Sequence, residues 1–248
     1  MTSPEGRPGG APSCIAILTA MPMELKPVVK RLGLTESRRG GRTLRTGTVG
    51  STEVVATYTG MGPDNARRVT TEVLDITDAG QVIVIGIAGG VDPALAIGDV
   101  VVPEVVVDRD TGRQFHSTAL PGTTPKGLIV TGEGLSLGPE LPDEIKALGI
   151  TAVDMETSAM AEVAESRGRP WCAFRSISDR ESDGLVDDEV FHLSAMDGSP
   201  DLKAVTRFVA KHPGKVPTLV RLARDSYKAT AAAAEAGVRA CRALAASS

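Results

Sequence analysis

The chain has 248 residues, 42% of them hydrophobic, enough to bury a full core, and an α/β domain of this size need not be divided in two. Its formal charge of −4 comes from interspersed acids and bases with no long basic block, which argues against a nucleic-acid partner. No apolar run approaches the roughly 20 residues of a membrane span.

In chain order, the Gly/Pro-rich start lacks the charged head and apolar middle of a signal peptide. Residues 1–12 are therefore expected to be a disordered tail before a single domain over 13–248, and the protein to be soluble and cytoplasmic. Cys14–Thr19 predicts a strand and Pro22–Leu32 a helix, with Pro22 in the first turn, where a missing N–H is tolerated. Residues 42–50 and 51–59 predict a hairpin, which makes the sheet mixed. A helix over Pro63–Ile76 follows, then strands over 82–88 and 100–108. The consecutive apolar positions of VIVIGIA and AILTA imply strands buried on both faces, hence a sheet sandwiched between helices.

Residues 109–125 form a polar stretch too long for an ordinary connection, the kind of segment that often lids a site. Strands are predicted over 127–131, Ile150–Asp154 and 171–177, and helices over 156–167 and 201–211. The last helix, Val216–Ala245, would be on the order of 45 Å long. Its Val220, Ala223, Tyr227, Ala231, Ala234, Val238, Cys241 and Ala245 make one narrow apolar stripe. Such a stripe packs first on its own domain, second on a partner subunit, third on a membrane surface. Cys14, Cys172 and Cys241 are far apart, two of them inside apolar runs, and read as small buried hydrophobes.

Three acids stand where an apolar run gives way to a helical pattern: Glu24 in CIAILTAMPMEL, Glu156 in ITAVDMETSAM and Asp179 in WCAFRSISDRES. Polar groups beyond the carboxyl ends of buried strands are where open α/β sheets build their ligand crevice. Taken singly, Glu24 and Glu156 fit first-turn acids facing a helix dipole, and Asp179 fits a turn cap. Together they suit cleavage of an N-glycosidic bond, which needs an acid for the leaving base, a base for water and a holder for the ribose.

Other motifs carry less. Gly134, Ser136 and Gly138 spell a nucleophile elbow, with His192 or His212 after Asp179, but no strand runs straight into it and no helix leaves at once. Gly60, Met61, Gly62 and Pro63 lack the third glycine of a dinucleotide fingerprint and read as a tight turn. The three histidines are too scattered to suggest a metal site.

The strings TAMPMEL, TGMGPDNA, GIAGGVDPALAIGDVVV, GLIVTGE, VDMETSAMA and FRSISD, in that order from about residue 14 to 210, resemble the nucleoside phosphorylase/nucleosidase superfamily. The resemblance points most closely to its 5′-methylthioadenosine/S-adenosylhomocysteine nucleosidases. It implies a three-layer αβα sandwich around a mixed, barrel-like sheet, a homodimer, a small nucleoside substrate and no metal or organic cofactor. By motif position Glu24 corresponds to the base for water and Asp179 to the acid toward purine N7, with Ser178 orienting it. Glu156 would hold the ribose hydroxyls, Met155 pack under the sugar, and Arg175 help place the water. Ala88 and Gly89 would line the sugar pocket, and Val153, Leu135 and Ser136 contact the base.

The sequence departs from that pattern in ways that bear on substrate. Leu135 stands where the adenine is stacked by an aromatic, Ile87 where a small hydroxyl residue is common, and residues 185–190 read LVDDEV where further aromatics are used. Val84 occupies the position of a phosphorylase arginine, which favours water over phosphate as nucleophile; Arg42 and Arg45 are left as candidates for an anion. Residues 196–225 resemble hopanoid-associated members acting on an adenosyl lipid. The alternatives are thus a nucleosidase for another 5′-modified adenosine, a phosphate-dependent phosphorylase, and a nucleoside-binding protein without turnover.

Overall fold

The computed structural model describes residues 12–132, 147, 149–180 and 202–247. Among these residues eleven strands form one mixed sheet in the order β2-β3-β4-β1-β5-β10-β9-β7-β8, and β11 pairs with both β5 and β6. They are β1 Cys14–Thr19, β2 Thr35–Arg39, β3 Arg42–Val49, β4 Thr52–Tyr58, β5 Gln81–Gly90 and β6 Val100–Val101. Then come β7 Val105–Asp108, β8 Gln114–His116, β9 Leu128–Thr131, β10 Ile150–Asp154 and β11 Trp171–Arg180. The helices are α1 Pro22–Leu32, α2 Pro63–Ile76, α3 Thr157–Ser166, α4 Leu202–Lys211 and α5 Val216–Ala245.

Side-chain alternation along the central strands builds two cores. Ala16, Leu18, Val82, Val84, Trp171 and Ala173 pack with Val69, Val73 and Met160 of α2 and α3. Their neighbours Ile15, Ile17, Ile83, Ile85, Cys172 and Phe174 face Leu25, Val28, Ala233 and Cys241 of α1 and α5. The result is the three layers implied by apolar runs with no polar face. All three cysteines are buried. Gly237 lets α5 close on the sheet, since a methyl group there would lie 2.4 Å from Ile85 Cδ1.

The structure revises several boundaries. The predicted strand over 100–108 divides into β6 and β7 around Pro103, whose nitrogen cannot donate to a ladder. β6 then runs antiparallel to β11 and β7 parallel to β9. The strand over 171–177 continues to Arg180, and the helix over 156–167 begins at Thr157 with Glu156 as its cap. β2 was not predicted because TESRR has no apolar period; it is a polar edge strand against β3. The stretch over 109–125 is tied to the sheet: β8 pairs with β7, and the Thr118 N–H donates to the Trp171 carbonyl at 2.7 Å. No helix among the described residues is long and apolar enough to cross a membrane.

Candidate active site

β5 sits at a fork. Its first half pairs along one edge with β1 at Gln81 to Val84, and its end pairs on β10 at Gly89 and Gly90, while β11 follows it throughout. Between the two partners the backbone needs other acceptors. Glu24 supplies one: its Oε1 accepts the Ile87 N–H at 2.9 Å. Its Oε2 accepts the N–H groups of Ala20 at 2.9 Å and Met21 at 2.8 Å, reaching back over the first turn of α1. Helix capping and attachment to the sheet fork are both realised in this one residue, one oxygen each.

Arg175, on β11, is fully buried beside it. Nε donates to Thr157 Oγ1 at 2.9 Å and lies 2.8 Å from Asp154 Oδ2; Nη1 reaches the Ile87 carbonyl at 3.4 Å. Nη2 lies 3.7 Å from Glu156 Oε2 and makes no hydrogen bond among the described residues. Asp154 is itself fixed by the hydroxyl of Thr131 at 2.6 Å and by that of Thr157. Glu156 Oε1 accepts the Gly62 N–H at 2.9 Å. The glycine turn before α2, read from sequence as a tight turn only, therefore also holds a carboxylate contributed by a segment 94 residues away.

Three buried carboxylates, Asp154, Glu156 and Glu24, thus surround one guanidinium. Burial is the main cause that raises Glu156 to about 7, opposed by Arg175 and assisted by the charges of Asp154 and Glu24. Burial likewise raises Glu24 above the ordinary carboxylate range, against the pull of Arg175 and of its three N–H donors. For Arg175 burial alone would lower the pKa, but the three carboxylates outweigh it and the group stays a cation. Full ionisation would leave excess negative charge in a poorly solvated site, and Glu156, at about 7, is the carboxylate that relieves it by holding a proton near neutral pH.

Asp179 comes from the same strand as Arg175. The register of β11 on β5 shifts between Ile177 and Asp179, a bulge that places Ser178 beside its neighbour. Ser178 Oγ donates to Asp179 Oδ1 at 2.6 Å and lies 3.4 Å from the Ala88 carbonyl oxygen. A methyl group on Gly89 would lie 3.5 Å from Asp179 Oδ2 and 3.2 Å from Val153 Cγ2, so Gly89 brings these two side chains close to β5. Gly86, three residues back and thus about 10 Å along the strand, does the same for Arg175 Nη1 and Glu24 Oε1 at 2.1 and 2.7 Å.

The carboxyl half of β5 therefore gathers Glu24, Glu156, Asp179, Arg175, Ser178, Val153, Ala88 and Gly89. Met155 lies between Asp154 and Glu156, half-buried. Leu135 and Ser136 lie outside the described residues, as do the GxSxG string, His192 and residues 185–190. Sequence reasoning missed Asp154, Thr157, Thr131, Gly86 and Gly62. Only Asp154 and Thr157 carried a visible signal, as polar residues flanking Glu156 in VDMETS.

Two candidates for an anion fall elsewhere. Arg42 is bound by Glu72, and Arg45 lies 3.0 Å from Glu36. Both line a cavity of about 1050 Å³ between α1, β3, β4 and α2, which none of the three sequence-picked carboxylates lines. Val84 is fully buried.

Known proteins resemble both the chain and its fold. The family model described as the phosphorylase superfamily matches residues 14–125 and 116–210. A 5′-methylthioadenosine/S-adenosylhomocysteine nucleosidase of Marinomonas sp. (strain MWYL1) is 32% identical over 157 residues, covering 51% of this chain and 68% of the relative. An aminodeoxyfutalosine nucleosidase of Helicobacter pylori (strain J99) is 26% identical over 227 residues, 77% and 97% of the two chains. The apo structure of the Arabidopsis thaliana 5′-methylthioadenosine nucleosidase superposes with a TM-score of 0.73 at 19% identity, covering 96% and 97%.

Proposed function

The chain belongs to the phosphorylase superfamily, and within it we propose that this protein is an N-ribosyl hydrolase that splits the bond between purine and ribose in a 5′-modified adenosine. The substrates that fit the reading best are 5′-methylthioadenosine and S-adenosylhomocysteine, the compounds in the names of several of its relatives. The observation that carries it is the meeting of Glu24, Glu156, Arg175 and Asp179 at the carboxyl half of β5.

In this reading Asp179, aligned by Ser178, donates a proton to purine N7 as the glycosidic bond lengthens. Glu156 accepts hydrogen bonds from the ribose hydroxyls, and Met155 packs under the sugar. Glu24 takes the proton of the attacking water, which Arg175 helps to place. A base with a raised pKa serves this role near neutral pH better than an ordinary carboxylate. Val153, Leu135 and Ser136 contact the base, and Ala88 and Gly89 line the sugar pocket. We take the protein to work as a homodimer in the cytoplasm, with catalysis in one domain over 13–248.

Water is favoured over phosphate on electrostatic grounds. The Arg175 guanidinium is already engaged by Asp154 and Glu156 and faces Glu24, which leaves it little counter-charge to offer a buried phosphate dianion. The test is release of free base from a panel of 5′-modified adenosines, with and without phosphate. Equal rates are expected under both conditions, and Glu24→Gln and Asp179→Asn should each slow release at least about a hundredfold. Ribose 1-phosphate formed only with phosphate would make the reaction phosphorolysis, and nucleoside binding without release would make the protein a sensor.

A further inference from the structure

The stripe along α5 divides into two unlike halves. Ala234, Val238, Cys241 and Ala245 are buried at 0%, 2%, 0% and 6% exposure. About five turns earlier, Val216, Val220, Ala223 and Tyr227 occupy the same face of the same helix. There Val216, Val220 and Tyr227 are 37%, 63% and 75% exposed, and Ala223 is exposed as well. At 3.6 residues per turn Arg224, Lys228 and Arg221 fall next to this apolar strip, and all three are exposed; Lys228 Nζ donates to the Ile97 carbonyl at 2.7 Å and Arg221 Nε lies 3.5 Å from Asp225 Oδ2, so Arg224, its side chain 76% exposed, is the cation that reaches furthest into solvent. Asp225, the acid among them, turns inward with its side chain 11% exposed and accepts from Arg224. From 202 to 228 the sequence holds seven Lys and Arg and one acid, Asp225.

We propose that this face of α5 is a docking site for the anionic surface of a lipid bilayer. The apolar strip would enter the boundary between headgroups and acyl chains, and the arginines would meet headgroup phosphates, the arrangement of interfacial helices that lie on a membrane without crossing it. Charge and apolarity together select this occupant. A second copy docking by a two-fold axis would set one cation-edged strip against another, with no exposed acid between 216 and 228 to pair the cations. A nucleic acid would use the cations but leave Val216, Val220 and Tyr227 against a polyanion. The inference draws on no residue of the active site.

The test is flotation of the full chain with vesicles of phosphatidylcholine alone or mixed with phosphatidylglycerol. The chain should float with the mixed vesicles, remain soluble with phosphatidylcholine alone, and be released by high salt. Val220→Glu, Tyr227→Glu and Arg224→Glu should each lower partitioning by about tenfold, the first two at an unchanged thermal midpoint because both side chains are exposed. Failure to float, equal flotation on the neutral vesicles, or flotation indifferent to the three substitutions would each overturn the proposal. So would a dimer, measured by sedimentation equilibrium, that Val220→Glu and Tyr227→Glu dissociate, or binding to duplex DNA that the same variants abolish.

Discussion

Glu24 and Glu156 show how one side chain serves structure and chemistry together. Each carboxylate satisfies backbone N–H groups that the fold leaves open, and each is held next to Arg175 by doing so. The cost appears in their proton affinities. Both folded pKa values lie above the unfolded reference of 4.5, Glu156 at about 7, so the native state holds protons that the unfolded chain has released. The stabilisation is complete below pH 4.5 and is lost as pH rises through about 7. Urea unfolding followed across this window should show native stability falling with pH, and Glu156→Gln should flatten much of the fall. An identical slope in the variant would mean that Glu156 is not the group responsible.

At the scale of elements, β5 is the organiser, and its glycines set how near other strands and helices can bring their side chains. Gly86 is the sharpest case, because a methyl group would overlap Arg175 Nη1 at 2.1 Å and Glu24 Oε1 at 2.7 Å. Neither neighbour can give way easily, being fixed by Asp154, Thr157 and the backbone of Ala20, Met21 and Ile87. Gly86→Ala should therefore abolish nearly all base release while costing about 1–3 kcal/mol of stability through overpacking. Gly62 makes the comparison: its φ of 87° requires glycine, but open space surrounds it, so Gly62→Ala should act through the grip on Glu156 and raise KM more than it lowers kcat. Near-normal rates for Gly86→Ala would show that the Glu24 and Arg175 pair is not needed in this geometry.

For the whole molecule, packing is deepest where β5 and β11 run together between two helical layers. β11 gives both cores their largest side chains, Trp171 on one face and Phe174 on the other. The first turns of α5, by contrast, stand in solvent. Native-state hydrogen exchange should follow this gradient, with amides of β5 and β11 opening only on global unfolding and those of α4 and the start of α5 exchanging first. Early exchange in β5 would contradict a core centred on it.

The layer order and most strands were legible because burial on both faces demands unbroken apolar runs, and no other fold class uses them in this alternation. The three acids were legible for a related reason, as costly residues placed at the ends of such runs. What only the tertiary structure decided is how charge is shared. Asp154, Thr131, Gly62 and Gly86 act across gaps of 21 to 94 residues, and no local pattern marks a hydroxyl or a glycine as the partner of a distant carboxylate or guanidinium. The same holds for α5: its stripe is one periodic pattern in sequence, and only the reach of the sheet beneath it determines which half is covered.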